Sequence, residues 1–106
     1  MANGQTPYQM KREEMRLQGL PALDRLIQAA QQEGGQASTL QRFLLGLYNG
    51  AAWPMNLNDL RNLDWDLQED VLKVLAMDMR PEREIHEWVI GSNELFVQWR
   101  NHHRQD

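Results

Sequence analysis

WDLQEDVLKVLAMDM, residues 65–79, is the stretch of the chain with the most continuous helical pattern of apolar residues. Its apolar side chains recur at the spacing that places them on one side of an α-helix. Asp64 or Asp66 can cap the N-terminus of this helix. We therefore expect it to be the central helix of the fold. Its predicted apolar face comprises Trp65, Val71, Leu72, Leu75 and Met79, and the charged residues that lie largely off that face are Asp66, Glu69, Asp70 and Lys73.

On both sides of this stretch, prolines, glycines and capping residues divide the chain into further short helices. No run of residues alternates polar and apolar side chains as a half-buried strand would. The sequence therefore predicts an all-α fold, a compact single-domain bundle of about six or seven short helices. Helix starts are predicted at Thr6-Pro7, Pro21, Ser38, Asn56, Pro81 and Ser92, and helix ends at Gly19, Gly34-Gly35 and Asn49-Gly50.

A chain of 106 residues has the size of one ordinary domain, so a single core is expected. Residues 21–100 are predicted to form this helical domain. Residues 1–20 form a predicted N-terminal helical arm that is rich in charge, and both loose and firm docking of the arm are open. Residues 101–106 are predicted to be a frayed tail.

The chain carries 15 acidic and 11 basic side chains, which gives a formal net charge of -4. This balance disfavours binding to nucleic acid or to an anionic membrane surface unless a local basic patch overrides it. The chain has no cysteine, which excludes disulfides and thiolate chemistry. No stretch approaches the ~18 apolar residues of a membrane helix, and the first residues lack the pattern of a secretory signal, so a cytoplasmic location is expected.

The residue types that support catalysis or hold a cofactor do not form a recognisable constellation. His86, His102 and His103 lack the spacing of a zinc site, and His86 is expected to be a partly buried structural residue. Gly34-Gly35 lacks the lysine of a phosphate-binding loop and is predicted to be a turn. Paired carboxylates in the predicted central helix supply too few ligands for a hard cation. We therefore expect no enzyme activity, no metal and no cofactor.

The strongest local charge bias lies between positions 56 and 79, where six acidic residues stand against two basic ones, Arg61 and Lys73. Such a segment can bind a basic surface of a partner protein or mimic nucleic-acid phosphates. The alternative interpretation is helix capping combined with a solvated face. The acidic residues are Asp59, Asp64, Asp66, Glu69, Asp70 and Asp78.

Four tryptophans are many for the thin core of so small a chain. Trp53 stands beside Pro54 in a connector, and two interpretations are open for it: an exposed interface anchor or a core residue. Trp65, Trp88 and Trp99 are expected in the core. The candidate partner-binding residues are therefore Asp59, Asp64, Asp66, Glu69, Asp70 and Trp53.

An ordered set of residues between positions 22 and 100 resembles an uncharacterised family of small helical proteins, a domain of unknown function. The set comprises Ala22-Leu23-Asp24-Arg25-Leu26, Gly35-Gln36, Phe43-Leu44-Leu45, Asn49, Asp59-Leu60, Asp70, Ile85-His86 and Trp99. Members are typically encoded on bacterial plasmids and integrative conjugative elements. The resemblance therefore implies a mobile-element setting and a compact helical fold, without an activity or a site residue. Met55-Asn56 stands where the family often has an aromatic residue followed by aspartate, and residues 1–20 lie outside the resemblance.

Two functional hypotheses follow from these observations. The first is a noncatalytic interaction protein from a mobile element that binds a basic protein partner through the acidic segment. The second is a DNA-associated accessory or regulatory protein that contacts DNA through residues 11–16 and 100–104.

Overall fold

The computed structural model describes residues 4–104, and in this range it contains helices but no strand. The α-helices are α1 (Pro7–Ala30), α2 (Gly35–Tyr48), α3 (Trp65–Asp78) and α4 (Ser92–His103). A 3-10 helix, Leu57–Asn62, precedes α3, and a single 3-10 turn, Ile85–Glu87, precedes α4. The all-α prediction is confirmed, but the described part of the chain has five helices rather than the predicted six or seven.

α1 is one continuous helix where the sequence predicts two. At its start the Thr6 hydroxyl accepts a hydrogen bond from the Gln9 backbone N–H at 3.1 Å, and the Thr6 N–H donates to the Gln9 side chain at 2.8 Å. This capping box confirms the predicted start. The helix then passes through Gly19 and Pro21 without ending. The predicted break was wrong because the packing of α1 against α2 and α3 offsets the hydrogen bond that Pro21 removes and the clash of its ring with the preceding turn.

Most of the predicted N-terminal arm therefore belongs to the first half of α1. Residues 7–20 are helical and continuous with the residues that follow, and residues 1–3 lie outside the described part of the chain. The division of the chain into an arm and a domain stays a prediction.

Gly19 marks the close approach of α1 to α3. It is buried, and a Cβ atom placed at this position would lie 2.7 Å from the Cβ atom of Met77. Two non-bonded carbon atoms overlap sterically at 2.7 Å. Only glycine, which has no Cβ atom, therefore lets the two helices lie at this separation. The glycine serves helix packing, whereas the sequence predicts a helix end there.

The hydrophobic core lies where the α-helices meet. α2 and α3 both pack on α1, and α4 packs on α2. Trp99 is buried and Trp88 partly so, but Trp65 is 77 % exposed, so the expectation that it lies in the core was wrong. The buried Val74 lies nine positions after Trp65, which places the two side chains on opposite sides of α3. The fully buried core side chains include Leu23, Leu26, Leu40, Leu44, Leu45, Val74, Ile85 and Phe96.

The predicted turn between α1 and α2 is confirmed. Gly34 has a φ of 110°, a conformation that favours glycine, and α2 begins directly after it at Gly35. The start predicted at Ser38 was therefore about one turn too late. Asn56 caps the 3-10 helix as predicted, because its side chain accepts a hydrogen bond from the Asn58 N–H at 3.1 Å.

α4 continues further than the sequence predicts. The side chain of His103 is buried, and its Nε2 atom lies 2.8 Å from the Gln41 side-chain oxygen on α2. Residues 101–103 belong to the last turn of α4, and this contact holds that turn against α2. The frayed tail over residues 101–106 stays a prediction. Residues 105 and 106 lie outside the described part of the chain. No helix in residues 4–104 has both the length and the apolar character needed to cross a membrane.

Candidate protein-binding surface

α3 carries apolar side chains on two opposite faces. Its inner face packs on α1 and buries Val71, Val74 and Met77. On its outer face Trp65 and Leu72 are 77 % and 66 % exposed. Met79, the residue directly after the helix, is 69 % exposed. Two large apolar side chains of α3 and a third at its C-cap are therefore left in contact with solvent.

The exposed apolar residues of the outer face form a line along α3, which we call the outer stripe: Trp65, Leu72 and Met79. Each is seven residues from the next, close to two helical turns, so the side chains lie one above another along about 21 Å of helix. A coiled coil repeats apolar residues at two positions of each heptad, and the outer stripe supplies one of these positions. Leu75, which is partly buried, lies near the second position between Leu72 and Met79, whereas Gln68 and Glu69 occupy that place between Trp65 and Leu72. The outer stripe is therefore an exposed apolar line along α3 without a helix packed on it in the described part of the chain.

Two recesses lie beside the outer stripe. Leu72 borders a cleft of about 210 Å³ between α3 and the 3-10 helix. Met79 borders a larger groove of about 540 Å³ between α3 and the first half of α1. Recesses next to protruding apolar side chains allow a partner's side chains to interdigitate with them. The residues that line the larger groove are Pro7, Tyr8, Lys11, Arg12, Met15, Ala76, Met77, Met79 and Arg80.

Two of the predicted acidic residues lie beside the N-terminal end of the outer stripe. Asp66 and Glu69 are exposed on the N-terminal half of α3, next to Trp65 in sequence and one turn after it. Asp64 is the N-cap residue, but its carboxylate accepts a hydrogen bond from Gln36 Nε2 at 3.2 Å and does not cap the helix. Asp59 is partly buried in the first turn of the 3-10 helix. The acidic end of the surface is therefore carried by Asp66 and Glu69.

Asp70 lies on the inner side of α3 and not among the exposed acids. It is buried, and its two carboxylate oxygens accept hydrogen bonds from Nε and Nη2 of Arg25 on α1, both at 2.9 Å. These hydrogen bonds and the negative charge of Asp70 raise the pKa of Arg25 above its ordinary value. The expectation that Asp70 lies largely off the buried face was wrong, because the ion pair joins α3 to α1.

Asp78, the last residue of α3, is half-buried. Burial raises the pKa of its carboxyl above the ordinary aspartate value, and the nearby charge of Glu84 acts in the same direction. A carboxylate at the C-terminus of a helix also meets the unfavourable end of the helix dipole. The charged form of Asp78 is therefore disfavoured in the folded protein, and Asp78 is not part of the exposed acidic face.

Trp53 lies in a different place from the acidic residues. It is half-buried and lines a cavity of about 570 Å³ at the ends of α2 and α4, together with Arg42, Arg100 and Arg104. None of the described residues around this cavity is acidic. Sequence reasoning missed the cavity because Arg42 is far from the other arginines in the chain. The spacing of Arg100 and Arg104, one helical turn apart, indicates that both side chains lie on the same face of a helix, and this was the signal in the sequence that could have pointed to the cavity.

The histidines of the described chain do not assemble a metal site. His86 is partly buried, as predicted, and its ring meets the Tyr48 ring edge to face at 5.0 Å between centroids. Within residues 4–104 no three histidine, aspartate or glutamate side chains come together in a way that could hold an ion.

The chain matches one family of unknown function, DUF7673, over residues 20–104. Comparison with curated proteins gave no match. Comparison with solved structures also gave no match. The matched segment begins within α1 and includes α2, α3 and α4. Since it covers most of the sequence, the chain belongs to this family of unknown function, DUF7673.

Proposed function

We propose that this chain is a noncatalytic interaction protein that binds an amphipathic helix of a partner protein along the outer stripe. The observation that carries the proposal is the exposure of Trp65, Leu72 and Met79 at heptad spacing on one helix. Exposed apolar side chains are unfavourable in water, and several of them aligned on one face of a helix favour association with a partner. Tryptophan in particular is enriched among the residues that dominate binding energy.

A helix fits this surface better than an extended peptide does. A strand would need an exposed sheet edge to pair with, and the described chain has no sheet. The outer stripe instead offers apolar side chains every two turns, and the recesses at Leu72 and Met79 offer space between them. The partner helix is expected to present apolar anchors at matching intervals.

Charge restricts the partner further. Asp66 and Glu69 flank the Trp65 end of the outer stripe, so the partner helix carries lysine or arginine at that end. Rim charges of this kind mainly select the partner and speed its approach. A second copy of the chain is a poorer occupant, because each copy carries a net charge of -4 and the two would repel each other.

The alternative hypothesis is DNA association through residues 11–16 and 100–104, and local ion pairing weakens it for the first of these two regions. Lys11 lies 3.7 Å from Glu14, and Arg16 lies 3.1 Å from Glu82. Arg12 lies 3.7 Å from the same glutamate. The positive charge of this part of α1 is thus offset by acidic neighbours, which reduces the attraction to phosphates. On the family resemblance, we propose that the protein acts in the cytoplasm as an accessory of a mobile element, by modulating host defence or element transfer.

The test is a pull-down with tagged protein from the cells that encode it, combined with a photo-crosslinking amino acid at position 72. Leu72→Glu places a charge at the centre of the outer stripe, and we expect it to weaken partner binding by at least about 2 kcal/mol. The matched control is Ile90→Glu, which makes the same kind of change at a fully exposed apolar residue elsewhere on the surface. A crosslinker at position 90 is the control for the crosslink.

The expected result is one protein that crosslinks from position 72 through a basic helix and is lost in Leu72→Glu but kept in Ile90→Glu. Equal capture by both variants would overturn the proposal. So would a dimer of the chain alone in sedimentation that becomes monomeric in Leu72→Glu, since the stripe would then be covered by a second copy.

A further inference from the structure

The cavity that Trp53 lines, which we call the basic pocket, combines positive charge with aromatic surface. Arg42 comes from the middle of α2, while Arg100 and Arg104 come from the last turn of α4 and its C-cap. Trp53 and Tyr48 supply the aromatic rings. The pocket therefore forms a local basic patch on a chain whose net charge is negative.

Arg100 is held in place by Tyr48. Its Nη1 donates a hydrogen bond to the Tyr48 hydroxyl at 3.1 Å, and its guanidinium carbon lies 5.0 Å from the centre of the Tyr48 ring. Stacking over an aromatic ring fixes the plane of a guanidinium group. The Nε atom of the same arginine is buried and has no hydrogen-bond partner among the described residues. The two contacts with Tyr48 therefore fix the position of the Arg100 guanidinium group beside the pocket.

Helix capping explains only part of this arrangement. Arginine and histidine in the last turn of α4 interact favourably with the negative end of the helix dipole. That role does not require an open cavity of about 570 Å³, a volume in the range of small-molecule sites. Arg100 and Arg104 line this cavity one helical turn apart, beside Trp53, and their positive charge points to an anionic ligand.

We propose that the basic pocket binds a nucleotide, with its phosphate on the arginines and its base against Trp53. Guanidinium groups recognise phosphate oxygens through paired hydrogen bonds, which supplies the anion-binding part. Aromatic side chains beside a basic groove bind bases by stacking, without reading their sequence. A free nucleotide and one nucleotide of a single strand share this chemistry. The proposal is independent of the outer stripe, which lies on α3.

The test measures binding by isothermal titration at low salt with four probes: AMP, adenosine, inorganic phosphate and a 5′-phosphorylated oligothymidylate. We expect AMP or the oligonucleotide to bind more tightly than either adenosine or phosphate. Arg100→Gln and Arg104→Gln should each weaken that binding about tenfold or more, the loss of one charge-assisted contact. Trp53→Ala should lower the affinity for AMP but leave the affinity for inorganic phosphate unchanged.

Arg83→Gln is the matched control, since it removes the same charge from an exposed position outside the pocket. Circular dichroism of each variant shows whether its helices are intact, and Arg104→Gln tests the proposal without touching the Tyr48 contact. Tighter binding of the oligonucleotide assigns the site to single strands, and tighter binding of AMP assigns it to free nucleotides. No binding of either probe, equal affinity for AMP and phosphate, or equal losses in Arg83→Gln and Arg104→Gln would overturn the proposal.

Discussion

The inner and outer faces of α3 are both apolar, yet only the inner face is covered. Val74 and Met77 on the inner face meet α1, whereas Leu72 and Met79 on the outer face meet solvent. The inner face also contains a charge, Asp70, which is paired with Arg25. The comparison shows that apolar character alone does not identify the buried side of a helix, because binding surfaces share it.

The two methionines at the end of α3 give the largest expected contrast between the faces. Met77 is 3 % exposed, and we expect Met77→Ala to lower the free energy of unfolding by about 2–5 kcal/mol, since it leaves a cavity against α1. Met79→Ala should change it by less than about 0.5 kcal/mol, because that side chain lies in solvent. Chemical denaturation of both variants is the measurement. Equal losses would show that the outer face is covered in the isolated protein.

A charge on the inner face should matter more than one on the outer face. We expect Asp70→Asn to lower the free energy of unfolding by about 1–3 kcal/mol, because the amide replaces an oxygen that accepts a hydrogen bond from Arg25. Asp66→Asn, on the exposed side of the same helix, should change it by less than about 0.5 kcal/mol. Chemical denaturation of the two variants and the wild type under the same conditions measures these free energies of unfolding. A larger loss in Asp66→Asn would contradict the assignment of the two faces.

Asp78 should give the smallest effect and the opposite sign. Its pKa is raised in the folded protein, so the folded state binds the proton more tightly, and stability falls as pH rises from the ordinary aspartate value of 3.8 through the raised one. We expect Asp78→Asn to stabilise the protein at neutral pH by less than about 1 kcal/mol, since the group is partly solvated.

Thermal unfolding over a pH series checks this effect. The gain of Asp78→Asn should disappear below the ordinary aspartate pKa, and Glu84→Gln should reproduce part of the gain. A variant that is less stable than the wild type at neutral pH would show that Asp78 has a favourable contact as a carboxylate.

The sequence predicted the all-α class and several caps correctly, but not the number of helices or the rotation of α3 about its axis. Thr6, Asn56 and the turn at Gly34 were correctly predicted because capping and positive φ depend on neighbouring residues. The buried face of α3 was predicted wrongly. A helix with apolar residues on two opposite sides has two faces that fit the helical periodicity, and the sequence does not show which of them is buried. Gly19 was taken for a helix end because its role depends on Met77, far along the chain.

Prediction of the candidate site residues was limited in the same way, because it used neighbouring residues and not tertiary contacts. Asp66 and Glu69 were predicted and lie exposed beside the outer stripe, but Asp70 could not be separated from them before its contact with Arg25 was known. Residues 100–104 were predicted as DNA contacts, but the cavity that they form with Arg42 was not predicted, because Arg42 is far from them in the chain. Local patterns therefore located the charged helix surface, and tertiary contacts decided which of its members a partner can reach.

Pro21 in the middle of α1 has a consequence for how the molecule unfolds. Proline has no N–H, so the carbonyl of Leu17 has no backbone donor four residues ahead of it. The ladder of hydrogen bonds along α1 is therefore weakest at this point, between a first half with few buried residues and a second half that carries core leucines. We therefore expect partial unwinding that begins at Pro7 to stop near Pro21, so that the first half of α1 can open while the second half stays folded.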